Sequence, residues 1–300
     1  MLGFGQMTRS NDIGRTLEYV IVKVLKDSLN SRVFLDDFTI KNQARDSKKF
    51  NLLDNPQKTL LLFYADSVRL WIEKNFSISK AKKIIIIRLS DIEGVKGDVT
   101  DIRIIIDTKK INLSIKHNHS ALKHQRPSRT AVQFGFLDNS KEDKDFRTSL
   151  DKVYKKFHLI KSKDFPNTKS FNDIKKKRID FVENYLYYPV CNLIKGFINK
   201  NSGQKVLVSH FFYFLVGNTD FYKLKMNNGC VEIQEYANIE SPSKVKARLH
   251  KKSYIILTFS NGWIIEMRLH SASTLITKRP SLKFDTNALK LPIKIINLSY

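Results

Sequence analysis

The chain has 300 residues with a formal net charge of +24, and its 42% hydrophobic content, including 20 Phe and 11 Tyr, excludes a wholly disordered polypeptide. A positive excess of that size points to a polyanionic partner, nucleic acid first. Cys191 and Cys230 stand far apart in apolar surroundings, "MLGFGQMTRS" has no signal-type apolar core, and runs such as Phe211–Val216 are too short to span a bilayer, so a soluble, cytoplasmic protein with reduced thiols and no membrane partner is expected.

From the N-terminus, "TLEYVIVKVLKDSL" (16–29) places Leu17, Val20, Ile21, Val24 and Leu25 at helical spacing, with Asn11 or Asp12 as the cap and Glu18 beside the apolar stripe. Residues 59–75 read as a second, largely buried helix. Three β-branched runs follow: "KKIIIIRL" (82–89), "DIRIIID" (101–107) and "INLSIK" (111–116), the last two joined at Thr108–Lys110. A polar helix is expected from about Ser120. Residues 138–180 are charge-rich and read as an insertion or boundary. A helix over 178–198 should bend near Pro189. Two Asn-Gly hairpins, 221–236 and 253–269, mark an antiparallel C-terminal region. The expectation is an α/β (α+β) protein with a mixed central sheet flanked by helices. One domain, 1–300, would divide into a core (1–137), the insertion (138–180) and a C-terminal part (181–300).

The segment "LSIKHNHSALKHQRPSR" (113–129) holds three of the seven histidines, four Lys/Arg and no acid. Just before it, Asp101 opens one strand and Lys116 closes the next. A hairpin brings these two side chains together at one end of the sheet. An acid beside a lysine on a cationic surface suits phosphodiester hydrolysis. The acid holds Mg²⁺, which lowers the pKa of a water, and the lysine activates that water or stabilises charge on phosphate. An ordinary cross-strand ion pair is the plain alternative. "HNH" at 117–119 matches the name of another nuclease class only by spelling. Zinc at His117, His119 and His124 lacks the paired ligand spacing of a structural site.

The Asp101…Ser114-Ile115-Lys116 pattern resembles the PD-(D/E)xK nuclease core, with serine standing where the second acid belongs. "GDVTDIRI", "LSIKHNHSALKHQRPS" and "MRLHSAST…RPSLKFD" together resemble the HaeIII family of type II restriction endonucleases over most of the chain. The resemblance implies a restriction-endonuclease-like fold and Mg²⁺-dependent cleavage of double-stranded DNA at a short palindrome, GGCC. The two-fold symmetry of such a palindrome makes a homodimer on DNA the natural geometry, with a monomer nicking each strand in turn as the alternative, and the host DNA would need a protecting methyltransferase. Asp101, Lys116, Ser114 and Glu18 would be the catalytic set. Metal ligands would come from Asp101, the Ile115 carbonyl, and Glu18 or Asp98. His117, Asn118, His119, Lys123, Arg126 and Arg129, with Arg268, His270, Lys278 and Arg279, would meet DNA. A non-catalytic, basic DNA- or RNA-binding protein on a similar fold is the competing expectation, favoured by Ser114.

Overall fold

The computed structural model describes residues 10–29, 32–76, 78–90, 98–117, 122, 124–227 and 229–298, less the side chains of 10, 11, 79, 124 and 227. In chain order the chain forms α1 (Ser10–Leu29), β1 (Val33–Leu35), α2 (Asp37–Asn51), α3 (Asn55–Phe76), β2 (Ile84–Arg88), β3 (Ile102–Ile106), β4 (Lys109–His117) and β5 (His124–Gln125). Then come α4 (Thr130–Gln133), α5 (Lys141–Asp164), α6 (Phe171–Lys177), a π-helical turn (Glu183–Tyr187), α7 (Tyr188–Lys200) and α8 (Lys205–Val216). The C-terminal strands are β6 (Phe221–Asn227), β7 (Cys230–Tyr236), β8 (Val245–His250), β9 (Tyr254–Phe259), β10 (Ile264–Ser271), β11 (Leu282–Lys290) and β12 (Ile295–Leu298). Among the described residues no helix is long and apolar enough to cross a membrane.

The chain divides into two compact units, the first made of Met1–Ser120, Gly217–Ile239 and Ile293–Tyr300. Its sheet runs β1-β2-β3-β4-β6-β7-β12. The β1–β2 and β4–β6 pairs are parallel and the others antiparallel, so the sheet is mixed. Side chains alternate between faces along each strand. One face carries Ile84, Ile86, Ile102, Ile104, Leu113, Leu224 and Ile233, all buried against Leu17, Val20 and Ile21 of α1 and Tyr64, Val68 and Ile72 of α3. The helix α1 forms on its apolar stripe, as its spacing predicts. It starts at Ser10, so Asp12 lies in its first turn instead of capping it, and accepts from Lys49 Nζ at 2.6 Å.

The second unit comprises Ala121–Val216 and Glu240–Pro292. It contains the antiparallel sheet β5-β11-β10-β9-β8 and helices α4 to α8. Aromatic side chains fill its interior: Phe134 packs on Phe211 with ring centroids 4.9 Å apart, and Phe212 on Trp263 at 5.4 Å. The charge-rich middle of the chain supplies α5, whose Phe146, Leu150, Tyr154 and Phe157 are buried. Ahead of Pro189 the Tyr188 amide bonds to the Glu183 carbonyl, five residues back. That wide turn lies just ahead of a proline with no N–H for a regular helix and interrupts the helix expected over 178–198.

Three local expectations are corrected. The polar helix expected from about Ser120 does not run through the described part of that segment: His124 and Gln125 pair with Asp285 and Phe284 of β11, and the buried Gln125 donates to Thr286 Oγ1 at 2.7 Å. Pro127 then holds Arg126 extended (φ −101°, ψ 124°) and opens a short 3₁₀ turn. The β3–β4 turn is Asp107–Thr108, because Ile106 already pairs with Lys109. Asp107 takes φ +52°, which a short polar side chain tolerates. Finally, the sequence reading passed over β1 and α2. The latter is capped by Asp36, whose side chain accepts from the Thr39 amide at 2.8 Å.

Candidate active site

Strand β3 begins where Asp101 ends its last ladder contact, the Asp101 amide donating to the Leu113 carbonyl at 2.8 Å. One rung further along β4, the carboxylate takes the place of a strand. Ile115 N donates to Asp101 Oδ2 at 2.5 Å, Lys116 Nζ lies 3.3 Å from the same oxygen, and Ser114 Oγ 3.4 Å. The N–H and C=O of a residue in an extended strand point to the same side, so the Ile115 carbonyl faces this opening too. Asp101 and Lys116 therefore meet as the hairpin predicts.

Behind them, Glu18 reaches in from α1. Its Oε2 accepts from Arg88 Nη2 at 2.7 Å. Arg88, at the end of β2, is 3% exposed and also lies 3.0 Å from Asp46 Oδ2 of α2. Asp46 is fully buried and takes a two-pronged pair of bonds from Arg45 at 2.8 and 2.7 Å. Burial works against the charge on Asp46, but the Arg45 hydrogen bonds and the charge of Arg88 outweigh it and hold its carboxyl below the usual range. Arg88 thus ties α1, α2 and β2 together and fixes the direction of Glu18.

Glu18, Arg88, Asp101, Ile115, Lys116 and His117 line one cleft of about 640 Å³. Burial raises the Glu18 carboxyl above its ordinary value and the negative charge of Asp101 raises it further, against Arg88 and Lys116. Burial also lowers the His117 imidazole. Two mutually repelling carboxylates and a carbonyl around one opening make an all-oxygen donor set. Hard dications take such sets, and magnesium in particular uses few protein ligands. Among the described residues no group of three or more His, Cys, Asp or Glu is placed to hold a metal.

The other expected residues lie elsewhere. Asp98 does not line this cleft: it receives Arg103 Nη2 at 2.5 Å and the Thr100 amide at 3.0 Å. Burial opposes its charge, yet bonds from Thr100 and Arg103 keep its carboxyl low. Ser114 is buried beneath Asp101. Asn118, His119 and Lys123 fall outside the described residues. Arg126, Arg129, Arg268, His270, Lys278 and Arg279 belong to the second unit. There, His270 Nε2 lies 2.9 Å from Asp285 Oδ2, Arg268 is exposed on β10, and the Lys278 carbonyl sits 3.2 Å from His158 Nε2.

Sequence reasoning missed Arg88 and Lys223. The signal for the first was a lone cation closing "IIIIRL". For the second it was the alternating lysines of "FYKLKM". In the β4–β6 register Lys223 stands beside Ser114 and Lys225 beside Lys116. Burial, then the charges of Lys116 and Lys225, push Lys223 down to about 7. A lysine titrates at ~10.4 when unfolded. Between those two values the unfolded chain binds a proton that the folded chain does not, so stability rises with pH over that window. Lys223→Met is expected to abolish that rise and to stabilise the protein at pH 7 by roughly 2 kcal/mol. Urea unfolding at pH 7 and pH 9 checks this, and an unchanged pH slope contradicts it.

A mixed sheet under helices, with an acid–lysine pair where an antiparallel and a parallel ladder meet, is consistent with the restriction-endonuclease-like class. Residues 14–240 match the model of the HaeIII restriction endonuclease family. The chain belongs to that family, whose members are site-specific nucleases with DNA as partner. It is similar to the type II restriction enzyme HaeIII of Haemophilus aegyptius, 26% identical over 242 residues that cover 70% of this chain and 71% of the relative. No solved structure matches it.

Proposed function

We propose that the chain is a type II site-specific deoxyribonuclease that hydrolyses double-stranded DNA at a short palindrome, GGCC by family likeness, with Mg²⁺ as cofactor. The observation that carries this reading is the Asp101 carboxylate, held by the Ile115 amide and Lys116 in the same cleft as Glu18. Asp101, Glu18 and the Ile115 carbonyl would hold the metal, and Glu18 rather than Asp98 fills the place of the acid missing at Ser114. When bound, Mg²⁺ supplies Lewis-acid polarisation of the phosphoryl group and eases ionisation of water.

Lys116 orients the attacking water and donates to the phosphate oxygens as negative charge builds on them. Ser114 positions Asp101 from beneath. Water adds in line to phosphorus, the P–O3′ bond breaks, and the 3′ oxygen takes up a proton. The products carry 5′-phosphate and 3′-hydroxyl ends. A two-fold symmetric target suits a homodimer, and a separate methyltransferase protects host DNA.

Plasmid incubated with the protein and Mg²⁺ is expected to give discrete bands that EDTA abolishes, and sequencing the cut ends gives the target and the cleavage position. Ser114 in place of an acid favours the second reading, a non-catalytic DNA- or RNA-binding protein. Retarded but intact plasmid in Mg²⁺ would establish that one instead.

A further inference from the structure

In the second unit four arginines converge on one cleft of about 390 Å³: Arg126 and Arg129 around the 3₁₀ turn, Arg147 on α5, and Arg279 just before β11. The lining contains a single carboxylate, Asp151. Each guanidinium is anchored at one end. Arg126 Nη1 donates to Ser281 Oγ at 3.1 Å and Arg129 Nη1 to Asp138 at 3.0 Å. Arg147 Nη2 donates to Asn139 Oδ1 at 2.8 Å and to the fully buried Asp143. Arg279 holds Asp151 through Nε and Nη2, at 3.0 and 2.6 Å.

A guanidinium has five N–H donors. Among the described residues the remaining nitrogens, Nε and Nη2 of Arg126 and Arg129, Nε and Nη1 of Arg147, and Nη1 of Arg279, have no protein acceptor. Side chains fixed by one prong with the other prong free lose little further entropy when they take an anion. Several forks around an open cleft suit tetrahedral oxygens on a continuous strand. A base edge would instead need one planar, two-pronged pair.

We propose that this cleft grips a backbone phosphodiester of DNA, with Arg147 and Arg279 as phosphate ligands alongside Arg126 and Arg129. The proposal rests on the reading that this chain acts on DNA, and adds a sequence-independent grip to it. Such contacts set register and orientation and leave base choice to other residues.

The test is binding of the full chain to fluorescent duplexes, one carrying the sequence at which the protein cuts and one scrambled, in EDTA, over a range of salt. Arg147→Gln and Arg279→Gln are each expected to weaken binding to both duplexes by the same factor, roughly ten-fold at low salt. Each should also reduce the slope of log K against log salt by about 0.9. Arg147 is tied to a buried acid, so Arg279→Gln, whose side chain is 76% exposed, is the reading that survives if the first variant fails to fold. Unchanged affinity and slope for a folded variant overturn the proposal, and so does a loss confined to the cognate duplex, which would mean base reading. Wild-type cleavage in Mg²⁺ is followed in parallel. If the wild type cuts while these variants bind normally, only the phosphate grip falls. If the wild type binds but never cuts, only the nuclease reading falls. If it binds neither duplex, both fall.

Discussion

Lys116→Ala cuts plasmid at least ~10²-fold more slowly than the parent while binding the same duplex within a few-fold, because one donor aimed at developing charge carries that much of a rate. The lysine side chain is 31% exposed and, among the described residues, its one ion-pair partner is Asp101, at 3.3 Å. Its removal therefore leaves no buried charge behind. Asp101 keeps the Ile115 amide and the Ser114 hydroxyl, so the carboxylate stays in place. The loss should fall on the chemical step, read by single-turnover cleavage, with the unfolding midpoint unchanged. A variant that cuts at the parental rate would remove this lysine from the mechanism and leave an ordinary cross-strand ion pair.

Arg88→Met has the opposite signature: a large loss of stability first, and of cleavage through it. It deprives Glu18 of a partner at 2.7 Å and Asp46 of one at 3.0 Å. Asp46 is fully buried, and its other partners are Arg45, itself 45% exposed, and Lys49 at 3.8 Å. Breaking a buried ionic cluster at one member costs about 3–5 kcal/mol, since the remaining charges stay in the interior unpaired. Urea unfolding at pH 7 should show a fall of that size. The sign with pH follows from Asp46, whose depressed carboxyl contributes stability that is present above ~3.9 and lost as pH falls below it. In the variant that acid-side loss shrinks, because its source has gone. A fall below 1 kcal/mol would mean that Arg88 reaches solvent and is no keystone.

The β3–β4 hairpin was legible from the sequence because everything that makes it is local. Two short runs, 101–107 and 111–116, and a tight turn between them suffice to bring Asp101 beside Lys116, even though the turn falls at Asp107–Thr108 and not at Thr108–Lys110. The β6–β7 hairpin, with Gly229 at φ +78° just before its return strand, was legible for the same reason. The helix expected after Lys116 failed on contacts that periodicity does not record. His124 and Gln125 are claimed by a strand about 160 residues further on, so a polar run that looks helical is drawn into a ladder. Helix α2 escaped notice because its buried positions are Thr39, Asn42 and Asp46, none of them apolar. The support of Glu18 escaped because residues 18, 46 and 88 sit on three separate elements and only their meeting gives each a reason. Placing Glu18 beside the cleft, and Asp98 on Arg103 instead, needed coordinates for that reason.

The amide of Ile115 has traded a backbone acceptor for the side chain of Asp101. Residue 101 is consequently both the last stitch of a sheet and the acid proposed to hold the metal. An alanine replacement there would unpick secondary structure and remove the acid in one stroke, so loss of function in that variant does not by itself say which of the two was broken.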